Sequence, residues 1–366
     1  MKLRRVASGV ALILLALPVF GADVSVPKFE LYTRGYQSSG AFNLGTYGDI
    51  DVALGGGLKF GGLLKFNFQN TDLSNVSSFA ATNLTLREAS LTVRRVFGSP
   101  FNLSYFTGYD DIFANGSAFP SLFGTAPFGT RYQGFLYFPT GPLYDGIYQV
   151  VGTGLKLATP VIGDWFASDL YLYQDANLGN GYYSSDLRAL FNLKRFKIDS
   201  FVGASFPVSS AGVYRAGVLM YYDTGSGGQF FTEIGIPRWD PVNQALNLDL
   251  FYLLFEPRLD FGSFAIIPTL FWHPAYYEDQ PTNQVSTSNV NVLFRFGNPN
   301  VDPTTGGFET ELDYSTVGSS QISTYVSPYL RVVASGIIWR MKVNLKVFPF
   351  STSDLVEAFF GVQTQF

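Results

Sequence analysis

The sequence contains no cysteine and a single histidine, His273. No disulfide framework, lipoprotein anchor or thiolate metal site can therefore form, and a metal centre lacks a second histidine. Charge is also scarce. Asp, Glu, Lys and Arg make up 14% of the residues, against about 25% in ordinary globular proteins. Long apolar runs are missing as well: beyond the N-terminal segment none reaches the roughly 18 residues of a spanning helix. The chain has too few charges for a fully water-facing surface and no helix that would carry its apolar residues through a bilayer.

What is abundant is aromatic and small: 36 Phe, 22 Tyr and 38 Gly. A closed β-barrel reconciles these features. It pairs every backbone polar group between strands while showing lipid an alternating apolar face, with aromatics at the interfaces and glycine in turns and tight contacts. At the N-terminus, Lys2, Arg4 and Arg5 precede the apolar stretch Val6–Phe20, and small residues follow at Gly21-Ala22. This is the pattern of a secretory signal peptide, residues 1–21, cleaved after Gly21. Residues 22–366 are then expected to form one domain. The 24 basic and 28 acidic residues become 21 and 28 once Lys2, Arg4 and Arg5 leave with the leader. An acidic chain of this kind is not a nucleic-acid binder.

Period-two alternation recurs along the chain. In Leu58–Gln69, Leu58, Phe60, Gly62, Leu64, Phe66 and Phe68 oppose Lys59, Lys65, Asn67 and Gln69. In Gly336–Val347, Ile337, Trp339, Met341, Val343, Leu345 and Val347 oppose Arg340, Lys342, Asn344 and Lys346. Asn289–Phe296 and Phe308–Tyr314 repeat the pattern. The phase changes near Arg87-Glu88, as a β-bulge would make it do, and again near Glu256-Pro257, within a strand read as Ala245–Asp260.

The breaks between strands alternate in length, as short inner turns and longer outer loops do in a membrane barrel. Inner turns are expected at Gly55–Gly57, Phe97–Pro100, Thr159–Gly163, Asn192–Arg195, Thr224–Gly228, Phe261–Ser263, Gly297–Gly307 and Ala334–Ser335. Outer loops are expected at Ser38–Gly45, Asn70–Ala81, Tyr109–Tyr144, Asp175–Gly181, Pro207–Gly212, Asp240–Asn243, Pro274–Ser288, Ser315–Gln321 and Pro349–Ser353. The fold expected is an all-β transmembrane antiparallel barrel of about sixteen to eighteen strands.

The last strand, Asp354–Phe366, is amphipathic and ends on an aromatic residue. With Gly361 and Phe366 in place, it resembles the C-terminal assembly signal of bacterial outer-membrane barrels. The opening strand Lys28–Gly35 is similar to the first strand of general porins, with the glycine displaced to Gly35. The third outer loop is the longest, and in general porins the third loop folds into the barrel. The resemblance covers overall plan, both termini and loop order, and includes no diagnostic motif. It implies residence in the outer membrane of a diderm bacterium among outer-membrane lipids. It also implies assembly by the barrel-assembly machinery through the strand ending at Phe366, and a homotrimer as an expectation. Porin third loops usually carry an acidic motif; this one is rich in Phe, Gly and Pro.

Two groups of residues are candidates for function. Charges of inward parity, which would orient and select permeating ions, are Arg34, Lys59, Lys65, Arg87, Arg94, Arg295, Arg340, Lys342 and Lys346, with Glu309, Glu311 and Asp313 as acidic counterparts. The same residues read also, and more readily, as lumen side chains that are solvated or paired with one another. The second group belongs to the third loop (Asp110, Asp111, Phe113, Phe119, Phe123 and Phe128), which either tucks inward as a constriction or plug, or caps the outer rim or packs against a neighbouring subunit. His273 has no recognisable nucleophile nearby and is read as an interfacial residue. Gly55-Gly56-Gly57 is followed by no GK[ST] and is not a phosphate loop. No enzyme activity, cofactor or metal is expected. The reading is passive diffusion of small hydrophilic solutes or ions through a porin-like channel. A selective channel for hydrophobic or aromatic substrates is the alternative, as is a structural or adhesive barrel with a blocked lumen.

Overall fold

An Arg or Lys facing lipid at the bilayer midplane costs about 2–4 kcal/mol, and that penalty decides which face of each strand turns outward. In the computed structural model the alternation becomes eighteen strands. They are β1 (Asp23–Ser38), β2 (Ala41–Gly56), β3 (Phe60–Asn70), β4 (Asn83–Val93), β5 (Asn102–Phe113) and β6 (Tyr148–Ala158). Next come β7 (Phe166–Asp175), β8 (Tyr182–Leu193), β9 (Phe196–Pro207), β10 (Val213–Asp223), β11 (Gly228–Trp239) and β12 (Tyr252–Asp260). The last are β13 (Phe264–Trp272), β14 (Ser288–Phe296), β15 (Thr304–Ser315), β16 (Gln321–Ala334), β17 (Ile337–Phe348) and β18 (Val356–Gln365). The structure describes residues 23–365 apart from 39–40, 57–58, 71–72, 74–81, 133–144, 180, 208–211, 275–287, 316–320 and 353–354. The expected signal peptide and Phe366 lie outside the described residues.

Every strand pairs antiparallel with its neighbours in sequence, and β1 closes on β18, with Lys28 opposite Gln365 and Tyr36 opposite Glu357. Closure leaves no free edge, so no ladder group has to find a partner in lipid. The turn at Ser335-Gly336 places both residues at positive φ, the conformation that matches the twist of the flanking strands.

Several boundaries move. β1 runs to Ser38 and β2 begins at Ala41, so most of the loop expected at Ser38–Gly45 is strand. β15 begins at Thr304, which shortens the expected Gly297–Gly307 turn. The segment after β11 stays out of the sheet until Tyr252, so the outer connection begun at Asp240 is longer than expected. The phase break near Glu256-Pro257 is absent. β12 keeps strict register with both neighbours, and Pro257 and Pro268 fall opposite each other where ladder bonds lapse, because neither can donate.

The bulge near Arg87 is present. Lys65 pairs with Glu88 and Phe66 with Leu86, leaving Arg87 as the extra residue. A second register shift lies between Tyr109 and Asp111. Strand β5 therefore continues to Phe113, and Asp110, Asp111 and Phe113 sit on its outer end. The connection to β6 spans 114–147 instead of 109–144.

The main hydrophobic core lies inside the barrel. Phe106, Phe113, Phe119, Tyr171, Phe201, Phe231, Tyr252 and Phe271 are buried in one cluster. Its side chains come from the inward faces of β5 to β13 and from a short helix, α1 (Phe119–Phe123), in the β5–β6 connection. The outward faces carry exposed residues such as Leu172, Leu187, Val202 and Phe255, the expected band against lipid.

Candidate functional site

The β5–β6 connection runs along the inner wall. Phe113, at the end of β5, packs on Phe201 of β9 and Tyr171 of β7, each with ring centroids 5.1 Å away. Gly116 N–H then donates to Asp199 of β9 at 3.4 Å. Phe119 packs on Phe123 and Phe128, and Phe128 stacks on Tyr221 of β10 at 4.5 Å.

A second anchor follows on β12. The Glu256 carboxylate accepts the Thr130 hydroxyl at 2.7 Å, the Arg131 N–H at 2.9 Å and the Tyr132 N–H at 3.1 Å. Arg258 donates to the same carboxylate at 2.7 Å and to the Gly129 carbonyl. The Tyr132 hydroxyl reaches Glu311 of β15 at 2.8 Å. Residues 114–132 are thus tied to β9, β10, β12 and β15 in turn.

Behind this segment the charges pair with one another. Arg188 of β8 is fully buried between Asp199, at 2.9 and 2.6 Å, and Asp111, at 2.9 Å. Lys156 of β6 reaches Asp111 at 3.0 Å and the Tyr171 hydroxyl donates to it at 2.7 Å. Nearby, Arg215 forks onto Asp186 at 2.6 and 2.7 Å, and Tyr148 donates to Asp175 at 2.8 Å. Ions removed from water to this degree persist only when paired and hydrogen-bonded. This side of the interior is filled.

The other side is open. A cavity of about 430 Å³ lies between the loop segment and the wall of β13 to β18. Among the described residues its cations are Arg131 from the loop, Arg295 of β14, Arg331 of β16, and Arg340 and Lys342 of β17, and its one carboxylate is Glu309 of β15. Lys342 pairs with Glu309 at 2.8 Å, Arg295 with Asp260 at 2.9 Å, and Arg340 donates to the neutral Gln363 at 2.8 Å. Arg131 and Arg331 make no ion pair among the described residues, and Nη1 of Arg331 is buried without a hydrogen-bond partner. Solvent reaches the Arg131 guanidinium, yet surrounding protein and the like charge of Arg258 lower its pKa. Asp145, in the same connection, is pushed up to about 6 by the protein around it and by Glu256.

The remaining candidates are dispersed. Arg34 pairs with Glu357, and Lys65 with Glu88 at 2.5 Å. Arg87 reaches the Tyr47 hydroxyl at 3.1 Å and Asp49 at 3.7 Å. The alternation places Lys59 and Arg94 in strands, but Lys59 lies in the turn before β3 and is exposed, and Arg94 follows β4 and donates to the Phe60 carbonyl at 3.2 Å. Lys65, Glu88, Arg94, Asp110 and Lys156 border a separate cavity of about 470 Å³. Lys346 follows Asn344 along β17 and belongs to neither cavity. Asp313 is bonded by Asn289, and Glu311 holds the loop. His273 is buried against Phe271, ring centroids 5.0 Å apart, and burial lowers its pKa to about 4. The neighbouring Glu278 and Asp279 lie outside the described residues.

Sequence reasoning missed Arg131, Glu256, Arg258, Arg188, Asp199, Arg215 and Arg331. A signal existed for the strand residues. In β8 the polar residues Ser184, Asp186 and Arg188 alternate with Tyr183, Ser185 and Leu187, and all three are buried. Charged residues of consistent parity in an otherwise apolar strand must face inward. Arg131, in a loop, had no such signal.

No protein-family model matches the chain, and no curated protein sequence does. Solved structures do resemble it. OccAB2 of Acinetobacter baumannii aligns with a TM-score of 0.55 and 10% identity over 94% of this chain and 98% of that one. Wzi of Escherichia coli, described as an outer-membrane protein involved in group 1 capsule assembly and a carbohydrate-binding β-barrel, aligns with a TM-score of 0.55 and 11% identity, covering 96% and 86%. OmpF of Salmonella typhi aligns at 0.46 and 11%, covering 94% and 97%. At such identities the likeness concerns the fold: this chain has the fold of an integral outer-membrane β-barrel of the porin-like kind.

Proposed function

We propose that the protein is a passive outer-membrane channel for small hydrophilic solutes, and that its conducting lane favours anions. The observation that carries this reading is the cavity between Arg131 and the β14–β17 wall, where, among the described residues, five cations meet a single carboxylate. Two of those cations, Arg131 and Arg331, make no ion pair among the described residues. Charge lining a narrow aqueous passage selects what enters it. Phe113, Phe119, Phe123 and Phe128 act in this reading as the packing that holds residues 114–132 to one side and confines transport to the other. The chain would be delivered by its leader and assembled through β18, with outer-membrane lipid against the apolar face.

The test is single-channel recording of refolded protein in a planar bilayer, with reversal potential measured under a salt gradient. Ohmic steps with an anion-selective reversal potential support the proposal. Ohmic steps with cation selectivity reject the anion preference and keep the channel. Silence from folded protein rejects the channel. A second reading, a structural barrel with a blocked lumen, draws on the aromatic core that fills the β5–β13 side, and silence is the result it requires.

A further inference from the structure

The β11–β12 connection presents apolar side chains that no part of the described protein covers. Val242, Leu246 and Leu248 are 69%, 59% and 75% exposed. The segment is nevertheless ordered by local bonds. The Asp240 carboxylate accepts Val242 N–H at 3.0 Å, and the Asn247 side chain accepts Asp249 N–H at 3.0 Å. Two indoles also hold it. Trp239 Nε1 donates to the Gln244 carbonyl at 3.1 Å, and Trp272 Nε1 to the Leu248 carbonyl at 3.3 Å.

Both indoles stand on the outward face of the barrel. Trp239 pairs across the ladder with Tyr214, which is outward and packs on Phe206. Trp272 shares parity with the exposed Leu270, while the intervening Phe271 is buried inside. A loop held by these two groups lies against the outside of the barrel at its outer rim, away from the lumen mouth. In a membrane barrel, outward Trp and Tyr mark the interfacial zone. Here the indole N–H groups bond loop carbonyls, so the loop occupies that zone.

We propose that residues 240–251 form a lipid-facing flap, seated in the interfacial layer with Val242, Leu246 and Leu248 turned into the acyl-chain boundary. Lipid is the occupant because the flap is continuous with the lipid-facing surfaces of β11 and β13. The flap's depth is limited by its own backbone. Pro241 to Asp249 are all exposed, and backbone polar groups without partners are tolerated in the hydrated interface but not in the hydrocarbon. The inference rests on the outward face of the barrel and is independent of what the lumen conducts.

The chain has no cysteine, so single labels are unambiguous. Leu246→Cys and Leu248→Cys would each carry a nitroxide in protein reconstituted into lipid vesicles. Leu270→Cys serves as the lipid-facing reference and Ala176→Cys, exposed in the β7–β8 loop, as the water-facing one. Collision with oxygen, which concentrates in lipid, is compared with collision with a water-soluble nickel complex. The expected result is an oxygen-to-nickel ratio at both flap positions on the Leu270 side. A ratio matching Ala176 overturns the proposal and leaves the loop in water. Low access to both reagents also overturns it, because a second copy or another protein would then cover the site. Native heat-dependent electrophoretic mobility of each labelled protein shows that it has folded, and two independent positions guard against failure of one.

Discussion

The Glu256 carboxylate of β12 accepts the backbone N–H of Arg131, at 2.9 Å, from a segment 125 residues earlier in the chain. It also takes the Tyr132 N–H and the Thr130 hydroxyl, so one wall side chain fixes the position of the Arg131 guanidinium. Glu256→Ala removes the acceptor and leaves Arg258 without its carboxylate. Breaking a buried pair in this way costs about 3–5 kcal/mol. The expected outcome is a larger, noisier single-channel conductance together with a lower unfolding temperature. Unchanged current noise would show that Glu256 does not hold the loop.

Arg131 is expected to set ion preference more strongly than any single wall cation, because it faces the cavity from the loop side, is exposed there and makes no ion pair among the described residues. Arg131→Glu should move the reversal potential toward cation selectivity, and Arg331→Ala should move it less in the same direction. Lys59→Ala should leave it unchanged, since Lys59 is exposed in a turn before β3. Equal shifts in all three variants would argue that overall charge, and not this cavity, decides selectivity.

Arg188 is sealed between Asp199 and Asp111. Arg188→Ala strands the buried Asp199 carboxylate, whereas Asp111 keeps Lys156 and the Tyr171 hydroxyl, with an expected loss of about 3–5 kcal/mol. Thermal unfolding followed by electrophoretic mobility would register it. Adding Asp199→Asn should recover part of the loss, because one uncompensated charge is then gone. A double variant no more stable than the single one would contradict this account.

Asp145 gives a pH dependence with a defined sign. Its carboxyl is pushed up to about 6 in the folded chain, above the ordinary value of about 3.9. As pH falls through 6 the folded protein takes up a proton that the unfolded chain does not. The stabilising contribution therefore grows on acidification, is complete below about 4, and is lost as pH rises through 6. Solvent reaches Asp145, and over the same window one negative charge near Glu256 is lost, so anion preference should increase. The reversal potential of Asp145→Asn should lack that step; a wild-type-like pH profile in the variant would assign the step to another group.

Gly108 lies opposite Glu88, next to the Arg87 bulge, at φ +97. A Cβ there would stand 1.9 Å from the Arg87 carbonyl oxygen. Gly108→Ala should sharply reduce the yield of refolded barrel, whereas Gly98→Ala, with open space around its Cβ position, should be milder. Equal refolding yields would mean that the bulge relaxes at little cost.

The barrel was legible because its determinants are local. In Gly336–Val347 the alternation of Ile337, Trp339 and Met341 with Arg340 and Lys342 states which face meets lipid, and β17 follows it. The bulge at Arg87 was visible as a phase change for the same reason. The end of β5 was less legible. An extra residue at Asp110 resets the phase, and the strand then continues to Phe113, so a run of Asp and Phe that reads as loop is strand.

Composition and period-two patterning, read alone, determined a closed antiparallel barrel with short turns at one end and a long third loop at the other. Each strand's lipid face follows from the cost of charge in hydrocarbon, which is a property of residues taken singly. Tertiary structure alone decided which half of the interior is filled and which cations make ion pairs among the described residues. Glu256 meets Arg131, and Glu311 meets Tyr132 across 179 residues, only after the sheet has closed. Parity gives a side chain's face but not its partner across the lumen.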